Sequence, residues 1–297
     1  MKNFFKASGL ILLYMGVYFV LQIIVTLIIS FGYMLMQTFN YVLNTTLNDA
    51  EIDSEQFIKN IVSTIIGYTP LFIIMSAIGA FFFYILISKI RKKNLFELCE
   101  FNKISVIEVI DTLLLGISSN VLTIVFISFL PIEKLTPEYE ELMESINGGN
   151  FIITLLGVGI AGPFIEEVVF RGLIYNELKR HMRIMPAVVI QALLFGIYHL
   201  NVVQGIYAFL LGIILALALN WTGTIWSSIL IHFSFNTFNI AISYFADESY
   251  LESTEGTITT AISVLASIVI FGLCTFVLWV NRKSKKQVKE QNNAIIL

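Results

Sequence analysis

Long apolar runs, separated by short polar segments, dominate the pattern of this chain. A run of about 18 or more apolar residues is typical of a helix that spans a membrane. The pattern predicts eight such spans, of which the fifth and sixth are short: 7–36, 61–88, 107–130, 151–178, 186–202, 204–220, 225–245 and 258–280. We therefore predict an all-α fold, a polytopic membrane bundle of about eight transmembrane helices.

Composition agrees with a membrane protein. The chain is 57% hydrophobic and only 13% charged, about half the charged share of a soluble protein, and its mean hydropathy is +0.83. The first run, 7–36, is longer than the apolar region of a secretory signal and lacks a small-residue cleavage site. We expect it to be a retained anchor, and we find no soluble domain and no internal repeat.

The charge of the connecting segments predicts the orientation. Basic residues are concentrated in three short stretches, 89–93, 179–183 and 282–286, whereas the stretches 37–60, 131–150 and 246–257 are acidic. Basic loops remain on the cytoplasmic side. Basic and acidic connecting segments alternate along the chain as eight spans require, so both termini are predicted to be cytoplasmic. Because topology explains the basic clusters, we expect no nucleic-acid binding.

Three charged residues stand inside the fourth span: Glu166, Glu167 and Arg171. An ionisable residue inside a membrane helix points to a functional site. Glu167 and Arg171 are four apart, with the acid first, so Arg171 can neutralise Glu167 on one helix face. Glu166 lies about 100° further round and has no partner in its own helix. The alternative is that all three only connect helices.

Two of the three histidines, His199 and His232, also fall in membrane helices, whereas His181 lies in a basic loop. An imidazole can bind a metal, position a water molecule or donate to an oxyanion. Asn236 shares a helix face with His232, and its amide could donate to an oxyanion or to a neighbouring helix. Phe195 precedes His199 by one turn and is expected to pack on the same face.

Together, the stretches 166–172, 195–199 and 232–236 resemble the three motifs of the CAAX-protease and bacteriocin-processing (CPBP, or Abi) family. Those motifs are Glu-Glu-x-x-x-Arg, Phe-x-x-x-His and His-x-x-x-Asn, and every motif position is matched here. The resemblance covers about residues 150–245. It implies an intramembrane endopeptidase whose helical core encloses a hydrophilic cavity. The roles implied are catalytic for Glu166, Glu167, His199, His232 and Asn236, and supporting for Arg171 and Phe195.

In such enzymes the first glutamate, here Glu166, activates water with the help of the histidines, and the asparagine and a histidine stabilise the oxyanion. The resemblance leaves the metal open. Glu166, His199 and His232 could form a three-ligand zinc site with an open fourth position, although no helix has the His-Glu-x-x-His spacing. With zinc on Glu166, Glu167 would have to act as base while Arg171 stabilises its charged form. We favour a metal-free mechanism in which Glu166 is the general base.

These observations divide the chain into N-terminal helices without a motif (1–150), a catalytic core (151–245), and a last helix with a polar cytoplasmic tail (246–297). The expected partners are the lipid bilayer and a membrane-associated peptide or protein substrate, prenylated or not. Two rival functions stay open. One is a proton-coupled transporter, although no repeated halves are found. The other is a peptide-binding or bacteriocin-immunity protein without essential catalysis.

Overall fold

The computed structural model describes residues 2–48, 53–131, 149–246, 249 and 253–295, and within these ranges the regular structure is helical throughout. The ten helices, numbered in chain order, are α1 (Lys2–Asn48), α2 (Ser54–Gly67), α3 (Thr69–Ile90), α4 (Leu95–Leu98), α5 (Val106–Ser128), α6 (Phe151–Lys179), α7 (Ile184–Tyr198), α8 (Val202–Thr222), α9 (Ile225–Phe245) and α10 (Thr254–Ile295). The predicted all-α membrane bundle is confirmed.

Seven of the described helices are long and apolar enough to cross a membrane: α1, α3, α5, α6, α8, α9 and α10. The remaining predicted span corresponds to α7, an apolar helix of 15 residues. Its length is about 22 Å, which is less than the apolar thickness of a bilayer. The chain is a multi-pass membrane protein, and the cytoplasmic position of its termini stays a prediction.

Two predicted boundaries need correction, and a third lies largely outside the described residues. The span predicted at 61–88 is two helices that meet at Tyr68, because Pro70 stands in the first turn of α3 and cannot donate a hydrogen bond to the helix before it. Helix α1 continues well past residue 36 to Asn48, so much of the acidic stretch 37–60 is helical. Most of the predicted loop 131–150 lies outside the described residues.

Polar residues at the helix starts fix where the site-bearing helices begin. The Asn150 side chain accepts from the backbone N–H groups of Ile152 and Ile153 at the start of α6. Gly223, with a φ of +72°, ends α8, and Thr224 then caps the first turn of α9. Such caps satisfy backbone groups that a helix end leaves unpaired.

Helix α6 lies at the centre of the bundle, and its segment Val168–Tyr175 is buried on every side. Its neighbours approach closely through glycines. A Cβ atom on Gly157 would overlap the Pro70 backbone of α3. In the same way, a Cβ atom on Gly116 of α5 would overlap the Ile231 carbonyl of α9, one residue before His232. Small residues at these crossings let the helix backbones come together.

Candidate active site

The two adjacent glutamates of α6 have different surroundings. The Glu167 side chain is completely buried, and its Oε1 atom accepts from Arg171 Nη1 at 2.9 Å and from His232 Nδ1 at 2.8 Å. The ion pair predicted from the four-residue spacing is therefore present. His232 adds a second helix to this pair, so that Glu167 joins α6 to α9 and is fixed on two sides.

Glu166, by contrast, has no ion pair within its own helix among the described residues. Its side chain is 16% exposed and faces a cavity of about 420 Å³. The basic side chain that faces it is the imidazole of His232, whose Nε2 lies 3.8 Å from Glu166 Oε2. That separation is too long for a direct hydrogen bond. Two carboxylates in different environments are a common basis for dividing roles in acid–base catalysis.

The cavity brings together the side chains that the motifs contribute. Five of the seven motif residues line it: Glu166, Phe195, His199, His232 and Asn236. The other two, Glu167 and Arg171, lie behind Glu166 in the core. His181 lies elsewhere, 3.4 Å from Glu177 at the end of α6. The lining also contains polar residues that sequence reasoning did not assign to the site: Gln22, Asn120, Tyr198, Gln204 and Asn239.

Hydrogen bonds fix the protonation of both histidines on the same nitrogen. His199 Nδ1 lies 2.8 Å from the carbonyl oxygen of Phe195, which can only accept, so Nδ1 carries the proton. His232 Nδ1 faces the ion-paired carboxylate of Glu167 in the same way. In the neutral form of each ring, Nε2 is therefore an acceptor. His199 ends α7, and Leu200, at a φ of +55°, turns the chain towards α8.

Phe195 is the packing centre of the site. The guanidinium carbon of Arg171 stands 4.2 Å from the centroid of its ring, which gives a cation–π contact. The imidazoles of His199 and His232 meet the same ring edge-on, at centroid distances of 4.8 Å and 5.8 Å. One buried aromatic thus holds the charge that neutralises Glu167 and orients both histidines.

Asn236 is connected to an irregular part of α6. The helix widens to π-type turns at Leu155–Ala161 and again at Val168–Tyr175. In the first of these, Gly162 N–H bonds to Gly157 O, so the next donor in sequence for Val158 O would be Pro163, which has no N–H. Asn236 Nδ2 supplies that hydrogen bond at 2.8 Å. The asparagine amide retains one further N–H.

A metal site is not assembled by these side chains. No group of three or more His, Cys, Asp and Glu side chains in the described part of the chain is placed to hold a metal ion. The zinc set that the sequence left open, Glu166, His199 and His232, does not fit as arranged. We therefore derive no catalytic step through a metal.

Comparison with known proteins gives the family of this core. Residues 148–238 match the family model described as "Type II CAAX prenyl endopeptidase Rce1-like". This match confirms the resemblance that the motifs predicted. The matched segment runs from just before α6 into α9 and contains all seven motif residues, whereas α1 to α5 lie outside it.

Two curated relatives agree with the match. YdiL of Bacillus subtilis strain 168, provisionally named as a membrane peptidase, is 30% identical over 93 residues, which cover 31% of this chain and 38% of YdiL. The membrane-embedded CAAX protease MroQ of Staphylococcus aureus strain USA300 is 29% identical over 129 residues, or 41% of this chain and 51% of MroQ. The chain thus spans about half or less of these relatives. No solved structure gives a significant match.

Proposed function

We propose that the protein is an intramembrane endopeptidase that hydrolyses a membrane-associated peptide or protein, with Glu166 as the general base. The observation that carries the proposal is the contrast between the two glutamates. Glu167 is bound to Arg171 and His232, whereas Glu166 faces the cavity and has no partner at hydrogen-bond distance in the described part of the chain. The core's membership of a CAAX-protease family supports the reaction class.

The distance between Glu166 and His232 supports separate roles for the two side chains in the attack. The 3.8 Å between Glu166 Oε2 and His232 Nε2 suits a substrate water that donates one hydrogen bond to each atom. Glu166 takes a proton from this water while the oxygen attacks the peptide carbonyl carbon. The resulting carboxylic acid of Glu166 then returns the proton to the amine nitrogen as the C–N bond breaks. Atoms and protons balance without another reactant.

The developing oxyanion needs a donor that is already in place. The second N–H of Asn236 meets that requirement, because the first holds Val158 O and thereby fixes the amide. His199 in its neutral form offers only an acceptor at Nε2, so it can contribute to the oxyanion only when protonated. We therefore assign the oxyanion contact first to Asn236 and assign His199 to the shaping and proton balance of the cavity.

Peptide cleavage by the purified protein in detergent tests the proposal. The cleavage rates of a set of prenylated and unprenylated membrane-active peptides are measured for three proteins: the wild type, Glu166→Gln and a matched control, Glu177→Gln. Glu177 lies on the same helix, but it pairs with Arg180 and His181 and does not line the cavity. We expect Glu166→Gln to lower kcat by at least about 100-fold and to keep the melting temperature of the wild type. The control Glu177→Gln should retain wild-type activity.

Two outcomes would contradict the proposal. Cleavage that persists in Glu166→Gln would remove Glu166 as the base. A wild-type protein that binds a peptide but cleaves none in the set would favour the peptide-binding or immunity function instead.

A further inference from the structure

Helix α1 lies outside the matched family segment, yet it reaches the catalytic cavity. Gln22 is the one strongly polar side chain in the apolar run 7–36, and it lines the cavity together with Glu166 and the motif histidines. A polar side chain inside a membrane helix is costly and points to a functional or helix-connecting role. The conformation of Gln22 distinguishes between these two roles.

Tyr198 of α7 fixes the orientation of the Gln22 amide. The Tyr198 hydroxyl donates to Gln22 Oε1 at 2.6 Å. Tyr18, one turn before Gln22, stacks on the Tyr198 ring with centroids 5.7 Å apart. The carbonyl end of the amide is therefore engaged with the protein, and its N–H groups are left to donate.

The Gln22 side chain lines the cavity that a substrate would enter to reach Glu166. The Tyr18 hydroxyl lies beside the same amide, but it forms no hydrogen bond of normal geometry within the described part of the chain. Gln22 and Tyr198 line the same cavity as Glu166. A peptide whose scissile bond reached Glu166 would therefore place neighbouring backbone carbonyls near Gln22. Those carbonyls are acceptors that every peptide offers, whatever its side chains.

We infer that Gln22 is a substrate-positioning residue, which donates from Nε2 to a backbone carbonyl of the bound peptide beside the scissile bond while Tyr198 holds its Oε1. The inference rests on the proposed peptidase function and adds a role for α1 to it. A hydrogen bond to a peptide group that does not react stabilises the bound substrate and the bound transition state equally. Its loss raises KM and leaves kcat nearly unchanged.

The test is steady-state cleavage of the peptide that wild type cleaves fastest, with four variants. Gln22→Leu removes the donor, and Gln37→Leu makes the same change 15 residues further along α1, about 22 Å away. Gln37 does not line the cavity. We expect Gln22→Leu to raise KM by about 3- to 10-fold, with kcat and melting temperature close to those of Gln37→Leu.

The third and fourth variants test the role of Tyr198. Tyr198→Phe removes the hydroxyl that orients Gln22 and should raise KM by a smaller factor. In the double variant with Gln22→Leu it should add nothing, because the two residues act as one unit. A bond that only connects α1 to α7 predicts the reverse: a lower melting temperature in both single variants and an unchanged KM.

Failure of this inference and failure of the proposed function give different results. If wild type cleaves a peptide and Gln22→Leu has the same KM as Gln37→Leu, the inference alone is overturned. If wild type cleaves no peptide, the peptidase function fails and the role of Gln22 fails with it.

Discussion

His232 Nδ1 lies 2.8 Å from Glu167 Oε1, the same oxygen atom that accepts from Arg171. One carboxylate thereby joins the last motif of the chain to the first. The consequence is a fixed Nδ1 tautomer for His232, whose Nε2 is turned towards Glu166. The two adjacent glutamates therefore differ in their surroundings: one holds the histidine and the other faces the cavity.

The Glu167–Arg171 pair should behave as a coupled unit in stability measurements. Both side chains are completely buried, and removing one charge leaves the other uncompensated, which costs about 3–5 kcal/mol. We expect Glu167→Leu and Arg171→Met each to lower the melting temperature in detergent sharply. The double variant should recover much of that loss, because replacing a whole buried pair with apolar groups is often close to neutral.

Activity should not return with the stability of this double variant, since His232 would lose the acceptor that fixes its tautomer. Melting temperature and cleavage rate measured on the same samples separate the two effects. A double variant with the same melting temperature as the two single variants would contradict the energetic coupling between Glu167 and Arg171.

Phe195 should matter more for activity than its size alone predicts. Phe195→Leu removes the cation–π contact to Arg171, worth about 0.5–2 kcal/mol, and the edge contacts to both imidazoles. We expect at least about a 10-fold loss of kcat/KM from misplaced histidines. The matched control is Phe170→Leu, because Phe170 is equally buried and packs on Phe195 and Tyr198. A similar loss of kcat/KM in both variants would reduce Phe195 to a general packing role.

Zinc chelation should leave cleavage intact. The three candidate ligands are not assembled into a metal group in the described residues, and the proposed attack uses the side chains of Glu166, His232 and Asn236 without a metal. The measurement is the cleavage rate after dialysis against a strong zinc chelator, with and without added zinc. Loss of activity that zinc restores would make the protein a metalloenzyme and would require His199, His232 and Glu166 to rearrange around the ion.

Gly116 should be intolerant of any side chain. A Cβ atom there would overlap the Ile231 carbonyl and the Ser234 hydroxyl of α9, so Gly116→Ala must push α5 away from the helix that holds His232. Overpacking of this kind costs about 1–3 kcal/mol, and we expect a lower melting temperature together with reduced cleavage. Gly272→Ala in α10, where no atom lies within 4 Å of the added Cβ, is the control and should be neutral or slightly stabilising.

The amino-acid pattern by itself determined the helical membrane class and the motif residues. An apolar run of spanning length predicts a membrane helix directly. In lipid, every backbone N–H and C=O group must be hydrogen-bonded within the protein, and a helix satisfies these groups within one segment. The pairing of Glu167 with Arg171 followed from a four-residue spacing, which is local to one helix. The split at Tyr68 was missed even though Pro70 marked it, because the apolar run continues through it.

The four-residue spacing already paired Glu167 with Arg171, whereas only the tertiary structure decided the second contact that locks Glu167 and the cavity that Glu166 faces. That second contact comes from His232, which lies 65 residues after Glu167 and meets it through close helix crossings that no single-helix pattern encodes. The same is true of Asn236, whose bond to Val158 depends on a widened turn before Pro163. Gln22 is the clearest case: in sequence it was one polar residue in an apolar run. Its place in the cavity comes from the packing of α1 against α3 and α6 and from its contact with Tyr198 of α7, because contacts between distant helices are set by the fold as a whole.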